Sequence, residues 1–225
     1  TPVDEARWGF SVIENSLWDA VPEFLRDLDE RLQQDYNVKL PIDAAPIHFS
    51  SWMGGDRDGN PFVTAKVTEE VLLLARRRAA KLLTTDLDRL QVELSMNDCN
   101  DELKSAVGEV YEPYRALLRP LVKRCADTRD GIYDFFNGRP YDSSQWIGSN
   151  DELLEPLLMC YRSLCESGLE VTANGMLLDT IRRVKCFGVH LLRLDVRQDS
   201  QRHADVLSEV TRYLGLGDYA HWSET

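Results

Sequence analysis

The apolar side chains of this chain recur mostly at every third or fourth position, which is the spacing of amphipathic helices. The clearest run covers the residues between Thr64 and Leu94, where Thr64 or Thr68 is placed to cap the first turn. Its regularly spaced apolar members are Val67, Val71, Ala75, Ala79, Leu83, Leu87 and Leu90. The pattern therefore predicts one long helix here.

The same spacing predicts two helices before this run. The first is expected to reach about Leu17, and Pro22 is expected to start the second, because proline is tolerated only in the first turn of a helix. Three apolar residues would then share one face of the second helix: Phe24, Leu28 and Leu32.

Later helices are expected at 101–135, at 150–168 and at 172–187, where Gly188 can adopt the left-handed conformation that ends a helix. The polar segment 137–150 contains turn-forming residues and no apolar period. This segment is therefore expected to be a surface loop.

The period changes at Val189, from which apolar and polar side chains alternate as in a β-strand as far as Arg197. One face would carry His190, Leu192, Leu194 and Val196, and the other Leu191, Arg193, Asp195 and Arg197. Asp199 or Ser200 then caps a helix with Ala204, Leu207, Val210 and Leu214 on one side. A strand followed at once by a helix predicts a fold that is mostly α with a few β-strands, as part of a helix-rich βα barrel of the TIM type.

In such a barrel, Arg193, Asp195 and Arg197 would face the interior. Arg197 would lie at the carboxyl end of the strand, where βα barrels place their sites, and a guanidinium there suits a phosphate or carboxylate. The alternative is a solvated edge strand on which Asp195 bridges the two arginines. The spacing leaves both interpretations open.

A short β-compatible run, 48–53, opens into the loop 54–61, of sequence GGDRDGNP. Its adjacent glycines permit positive φ, so backbone N–H groups could converge on an anion beside Arg57. A tight turn, in which the aspartates on either side of Arg57 accept backbone N–H groups, explains the same residues. Trp52, directly before the glycines, suits either a core position or the wall of a small pocket.

Composition narrows the function classes. With 26 Lys and Arg against 38 Asp and Glu, the net charge of −12 repels nucleic acid. The chain contains no apolar run of about 18 residues, so no membrane span is expected. The 5 cysteines form no C-x-x-C pair, which favours small buried side chains in a reducing cytoplasm. No spacing indicates a metal site, and His190 is expected to be a core residue.

Two long motifs, SSWMGGDRDGNP at 50–61 and RRVKCFGVHLLRLDVRQDSQRHADVL at 182–207, resemble phosphoenolpyruvate carboxylase of the bacterial type. The segments TPVDEARWGFSVIENSLWDAVP and ANGMLLDTIRRV agree with this resemblance, which runs nearly from end to end in the same order. It implies an eight-stranded βα barrel enzyme that assembles as a homotetramer.

The family resemblance also implies a reaction. The whole enzyme would use Mg²⁺ or Mn²⁺ to join phosphoenolpyruvate and bicarbonate into oxaloacetate and phosphate, through carboxyphosphate and an enolate of pyruvate. Such a carbon–carbon lyase fixes carbon dioxide for the tricarboxylic acid cycle in the cytoplasm. In this scheme Arg197 holds the substrate phosphate, Trp52 lies on the bicarbonate side, Arg57 belongs to the neighbouring loop, and Arg193 is a supporting neighbour.

The family's T-A-H-P-T-E segment, with its catalytic histidine, and its metal-ligand segments do not occur in this sequence. Residues 1–225 are therefore expected to be an internal fragment of a single larger catalytic domain, without catalytic or metal-binding residues. Alone, the fragment should be inactive and poorly soluble. The alternative function is a helical regulatory or interaction module that senses an anionic metabolite through Arg57 or Arg197.

Overall fold

The computed structural model describes residues 1–223, and helices dominate them, as the sequence predicts. The helices are α1 (Pro2–Val12), α2 (Trp18–Tyr36), α3 (Ala65–Glu93), α4 (Asp101–Val107), α5 (Pro113–Phe136), α6 (Asp151–Glu166), α7 (Glu170–Thr172), α8 (Leu178–Phe187) and α9 (Ser200–Tyr213). The other regular elements of these residues are two short strands, β1 (Ser50–Ser51) and β2 (Arg193–Leu194), π-helical segments at Ile13–Leu17 and Ala173–Leu177, and 3₁₀ turns at Ser143–Gln145 and Tyr219–His221.

Helix α3 is the central element, and it packs along α5. Its start is confirmed at Thr64, whose side-chain oxygen accepts the N–H of Val67 at 3.3 Å. The apolar stripe predicted from the sequence is buried, including Leu83, Leu87 and Leu90. Burial of each such leucine stabilises the fold by roughly 1.5–3 kcal/mol, so this helix anchors the core.

The predicted break between a first and a second helix is wrong. Helices α1 and α2 run into each other through the π-helical segment Ile13–Leu17, and Pro22 lies inside α2. Proline has no N–H to give to the carbonyl of Trp18, one turn earlier. The Nε of Arg183 on α8 donates to that carbonyl instead, at 2.8 Å, so a distant side chain replaces the missing hydrogen bond.

The predicted apolar face of α2 is also wrong in part. Phe24 is 51% exposed, whereas Val21 and Leu25 are buried.

The single helix predicted at 101–135 is divided into α4 and α5. Gly108, with φ of 77°, ends α4, and Pro113 occupies the first turn of α5, where its ring is compatible with a helix.

A buried polar network joins α2, α3 and α8. Arg183 donates to Asp86 at 3.2 Å and to Asp19 at 2.8 Å. The indole N–H of Trp18 also donates to Asp86, at 2.9 Å. Burial raises the pKa of Asp86, which these two donors oppose. The network therefore depends on every partner being present.

Strands β1 and β2 are parallel, with Ser50 opposite Arg193 and Ser51 opposite Leu194, and an isolated bridge pairs Asp56 with Arg197. The N–H of Arg193 donates to the carbonyl of Phe49 at 2.9 Å, and the N–H of Arg197 donates to that of Gly55 at 3.0 Å. The glycine loop thus continues the pairing that β1 begins.

The predicted strand 189–197 is wrong in its extent, because residues 189–192 form a turn. Leu191 has φ of 69° and is fully buried, although alternation placed it on the charged face. Because Leu191 has a left-handed backbone, extended geometry begins only after it. The pairing with β1 then starts where the N–H of Arg193 donates to the carbonyl of Phe49. His190 is exposed, so its expected core role is wrong as well.

Segment 137–150 contains one 3₁₀ turn, Ser143–Gln145, and its end is fastened to α5. Trp146 and Ile147 are buried there. The N–H of Ile147 donates to the side chain of Thr128 at 2.9 Å. These contacts hold the end of the segment close to the core.

Three further observations concern the cysteines, helix α9 and membrane spans within residues 1–223. All cysteines are free thiols, and burial raises the pKa of Cys125 and Cys160 to about 12. Leu207 and Val210 in α9, and Leu214 directly after it, are exposed, so the apolar side predicted from the sequence is uncovered. None of the helices described is both long enough and apolar enough to span a bilayer.

Candidate functional site

The parallel pairing brings together two side chains that lie far apart in the sequence, Trp52 and Arg197. The guanidinium carbon of Arg197 is 5.8 Å from the centroid of the Trp52 ring. Both side chains are exposed, and a cation over an indole face at this distance is a favourable contact. Within residues 1–223, the Arg197 side chain forms no ion pair. Its positive charge is therefore free to meet an anion.

Arg57 lies next to this pair through its backbone, since its N–H donates to the carbonyl of Arg197 at 3.0 Å. Its side chain extends to the start of α3, where Nη2 donates to the hydroxyl of Thr68 at 3.2 Å. Thr68 in turn donates to the carbonyl of Gly54 at 2.8 Å. Thr68 thus ties the loop to α3 and orients Arg57.

The loop amides decide between the two interpretations of GGDRDGNP. The N–H groups of Gly55 and Asp56 both donate to the carbonyl of Trp52 at 2.9 Å. The N–H of Asp58 donates to the carboxylate of Asp56 at 3.3 Å. Since these amides already have partners, the geometry is that of a tight turn and not of an anion cradle.

A cavity of about 230 Å³ lies beside Trp52 and is lined by Glu5, Asp56 and Asp58, among others. Three carboxylates make this cavity unfavourable for an anion. An anionic ligand of Trp52 is therefore expected on the Arg197 side of the ring.

Arg193 is not brought to the same place. It is exposed and lines a larger cavity, of about 520 Å³, whose lining includes none of Trp52, Arg57 and Arg197. Asp195 forms no ion pair within the described chain, so the bridge to both arginines considered from the sequence does not form. The carbonyl of Asp195 instead packs closely on Gly55.

Sequence reasoning missed Thr68 as the partner of Arg57, although it recognised the residue as a possible helix cap. It also missed Arg76 and His190, which line the larger cavity. Arg76 carried no local signal, because it belongs to a run of three arginines on α3. Over residues 1–223 there is no group of three or more His, Cys, Asp or Glu side chains arranged to hold a metal ion.

Comparison with known proteins gives one consistent result. Residues 1–225 match a family model described as phosphoenolpyruvate carboxylase. A phosphoenolpyruvate carboxylase of Vibrio vulnificus (strain YJ016) is 58% identical over 225 residues, which are 100% of this chain and 26% of that protein. Those of Tolumonas auensis and Shewanella loihica are 56% and 55% identical, again over 100% of this chain and 26% of theirs. The chain thus spans about a quarter of the length of these relatives.

Proposed function

The chain belongs to the phosphoenolpyruvate carboxylase family, and from this premise we propose that residues 1–225 supply one part of a substrate site that the rest of a longer polypeptide completes. The whole protein would convert phosphoenolpyruvate and bicarbonate into oxaloacetate and phosphate, through carboxyphosphate and an enolate. Family membership favours this enzyme over a helical module that senses a metabolite.

For the whole protein, the proposal includes a TIM-type barrel, a homotetramer and a cytoplasmic location in carbon dioxide fixation for the tricarboxylic acid cycle. It also includes Mg²⁺ or Mn²⁺, which would stabilise the negative charge of the reacting groups. The described residues offer no cluster that fits such an ion, so its ligands are proposed to lie in the rest of the protein. No step assigned to this chain depends on the metal.

Arg197 is proposed to hold the phosphate of phosphoenolpyruvate. The observation that carries this assignment is its free guanidinium over Trp52, at the carboxyl end of a parallel strand pair. A phosphate accepts two parallel N–H bonds from one guanidinium, which fixes its orientation as well as its position. Orientation of this kind stabilises charge that moves from the phosphate towards carboxyphosphate during the reaction.

Trp52 and Arg57 are proposed to form the bicarbonate side of the site. The Trp52 ring is a flat apolar wall beside the Arg197 charge. Arg57 is held by Thr68 and adds a second positive charge close to the strand ends. Arg193 is proposed to support the strand from its other end without touching the substrate.

The full-length enzyme tests this proposal with Arg197→Ala. Loss of a charge-assisted contact should raise the activation free energy of the reaction with phosphoenolpyruvate by about 2 kcal/mol or more. This increase lowers kcat/KM roughly 30-fold. Steady-state kinetics at saturating bicarbonate measure the change.

The matched control is Arg202→Ala, which removes an exposed arginine from the first turn of the helix that follows the strand. Kinetics like those of the wild type are expected for this control. Wild-type kinetics in Arg197→Ala would remove Arg197 from the site.

A further inference from the structure

A second cavity, of about 520 Å³, lies at the opposite end of the strand pair from Trp52 and Arg197. The residues that line it adjoin the amino ends of β1 and β2, the middle of α3 and the end of α8. The members used below are His48, Arg76, Lys185, His190 and Arg193. Its volume is in the range of sites for small molecules.

The charged side chains that line this cavity are all basic. Arg76, Lys185 and Arg193 line it together with two histidines, and no aspartate or glutamate does. The chain as a whole carries a net charge of −12, so such a concentration of basic side chains is exceptional. Neighbouring cations repel each other, and an anion between them would relieve that repulsion.

Most of this charge is not neutralised within the protein. Among the described residues, Arg76 and Arg193 form no ion pair, although the Glu152 carboxylate lies near enough to favour the charged form of Arg76, and Lys185 reaches only Asp43, at 4.0 Å. Partial burial of the ring, and then the charge of Arg76, lower the pKa of His190, so the neutral form of this histidine is favoured beside the cations.

Arg76 is held in place before any ligand arrives. Its Nη2 donates to the carbonyl of Ile147, and its guanidinium lies over the ring of Trp146, 5.4 Å from the centroid. A guanidinium fixed on two sides loses little conformational entropy when it binds an anion.

The remaining wall is aromatic and amide in character. Phe49 and Phe187 stack with 4.8 Å between centroids and 2° between planes. The side-chain oxygen of Asn150 accepts the N–H of Val189 at 2.9 Å, which fixes the amide and leaves its NH₂ group as a donor. The cavity therefore combines cations, a neutral donor and an apolar surface for a carbon skeleton.

We propose that this cavity binds a phosphate-bearing small molecule at a site separate from the one formed by Trp52 and Arg197. A phosphate monoester carries nearly two negative charges at neutral pH, which the cations of the cavity can balance. Its organic part would rest on Phe49, which the buried ring of Phe187 supports from behind.

Equilibrium dialysis of radiolabelled inorganic phosphate against the full-length protein tests the proposal. Four proteins are compared: the wild type, Arg197→Ala, the double variant Arg76→Gln with Lys185→Gln, and the combination of all three changes. The double variant should lose one phosphate per chain or bind it at least 10-fold more weakly, whether or not Arg197 is present. Loss of phosphate in Arg197→Ala alone reports on the other site, so the two proposals fail separately.

Two further variants distinguish loss of the site from a folding defect and from a general loss of positive charge. Lys185→Gln alone changes a half-buried side chain with little effect on folding, and it should weaken this phosphate binding severalfold. Arg89→Gln removes an exposed arginine from α3 outside the cavity and should leave binding unchanged. The proposal is overturned if the cavity variants bind as much phosphate as the wild type. That result is expected if an acidic segment elsewhere in the polypeptide fills the cavity.

Discussion

Two arginines show how differently this chain uses the same side chain. Arg183 lies in the helical core, where it donates to the carbonyl of Trp18 and to the carboxylates of Asp19 and Asp86. Arg197 lies at the strand edge, where its described neighbour is the face of Trp52. All three nitrogens of the Arg183 guanidinium donate to groups of the fold, whereas the Arg197 guanidinium keeps its hydrogen-bonding capacity for other partners.

The difference separates stability from binding. Breaking a buried ion pair leaves an uncompensated charge, so the core arginine holds helices together and has nothing left for a ligand. An exposed arginine contributes little to stability, because water solvates it in the folded and unfolded states alike. An anion bound by Arg197, as proposed, would therefore take no hydrogen bond away from the fold.

The largest effect is expected from Arg183→Met in the full-length protein. The change leaves Asp86 buried without its cation and the Trp18 carbonyl without a donor, which should cost about 3–5 kcal/mol. Hydrogen–deuterium exchange of the α8 amides, which reports the free energy of local opening, should show protection reduced by about 100-fold or more.

The control for that change is Arg31→Met, on the exposed side of α2. It should leave the exchange of α8 nearly unchanged. Equal protection in the two variants would mean that the network does not stabilise the core, and the contrast with Arg197 would disappear.

A smaller effect, at the edge, is expected from Gly55→Ala. A Cβ at Gly55 would come within 2.4 Å of the Asp195 carbonyl oxygen, so the loop and β2 must move apart. Overpacking of this kind costs roughly 1–3 kcal/mol. Since the carbonyl of Gly55 also accepts the N–H of Arg197, kcat/KM should fall by about 10-fold, which is less than the loss expected when the Arg197 side chain is removed.

Gly59→Ala separates steric conflict from loop strain. Gly59 has φ of 68° but has no atom within 4 Å of a Cβ, so the substitution strains the backbone without a collision. Its kcat/KM should stay much closer to that of the wild type. A similar loss in both variants would show that loop strain, and not the contact with β2, positions Arg197.

The smallest effect is expected from Trp52→Leu. The exposed cation–π contact is worth about 1 kcal/mol or less, which corresponds to roughly fivefold in KM for bicarbonate, with stability unchanged. Kinetics with varied bicarbonate at saturating phosphoenolpyruvate measure this change. An unaltered bicarbonate KM would remove Trp52 from the site.

Local patterns predicted the helices well where the determinants are local. The long helix α3 follows from its apolar spacing and its cap at Thr64. The continuous helix through Pro22 was missed because Arg183, far away in the sequence, compensates for the proline. The strand was drawn too long because alternation continues through the turn at Leu191, whose left-handed backbone leaves no trace in hydrophobic spacing.

The same distinction between local and distant determinants applies to the candidate site. Arg197 was identified from its position at the end of an alternating run, and Trp52 and Arg57 were identified from the glycine loop and from the resemblance to the family. Their proximity was not predictable from periodicity, because it arises from parallel pairing across more than half of the chain. Arg76 and His190 were missed since their cavity exists only when α3, α8 and the start of β2 come together.

The most direct test of the central claim is a crystal structure of the full-length protein with phosphoenolpyruvate bound. We expect the Arg197 guanidinium to donate to phosphate oxygens at about 2.7–2.9 Å, with the Trp52 ring still beside it. The account would be contradicted by a phosphate bound elsewhere while Arg197 pairs with a carboxylate of the protein.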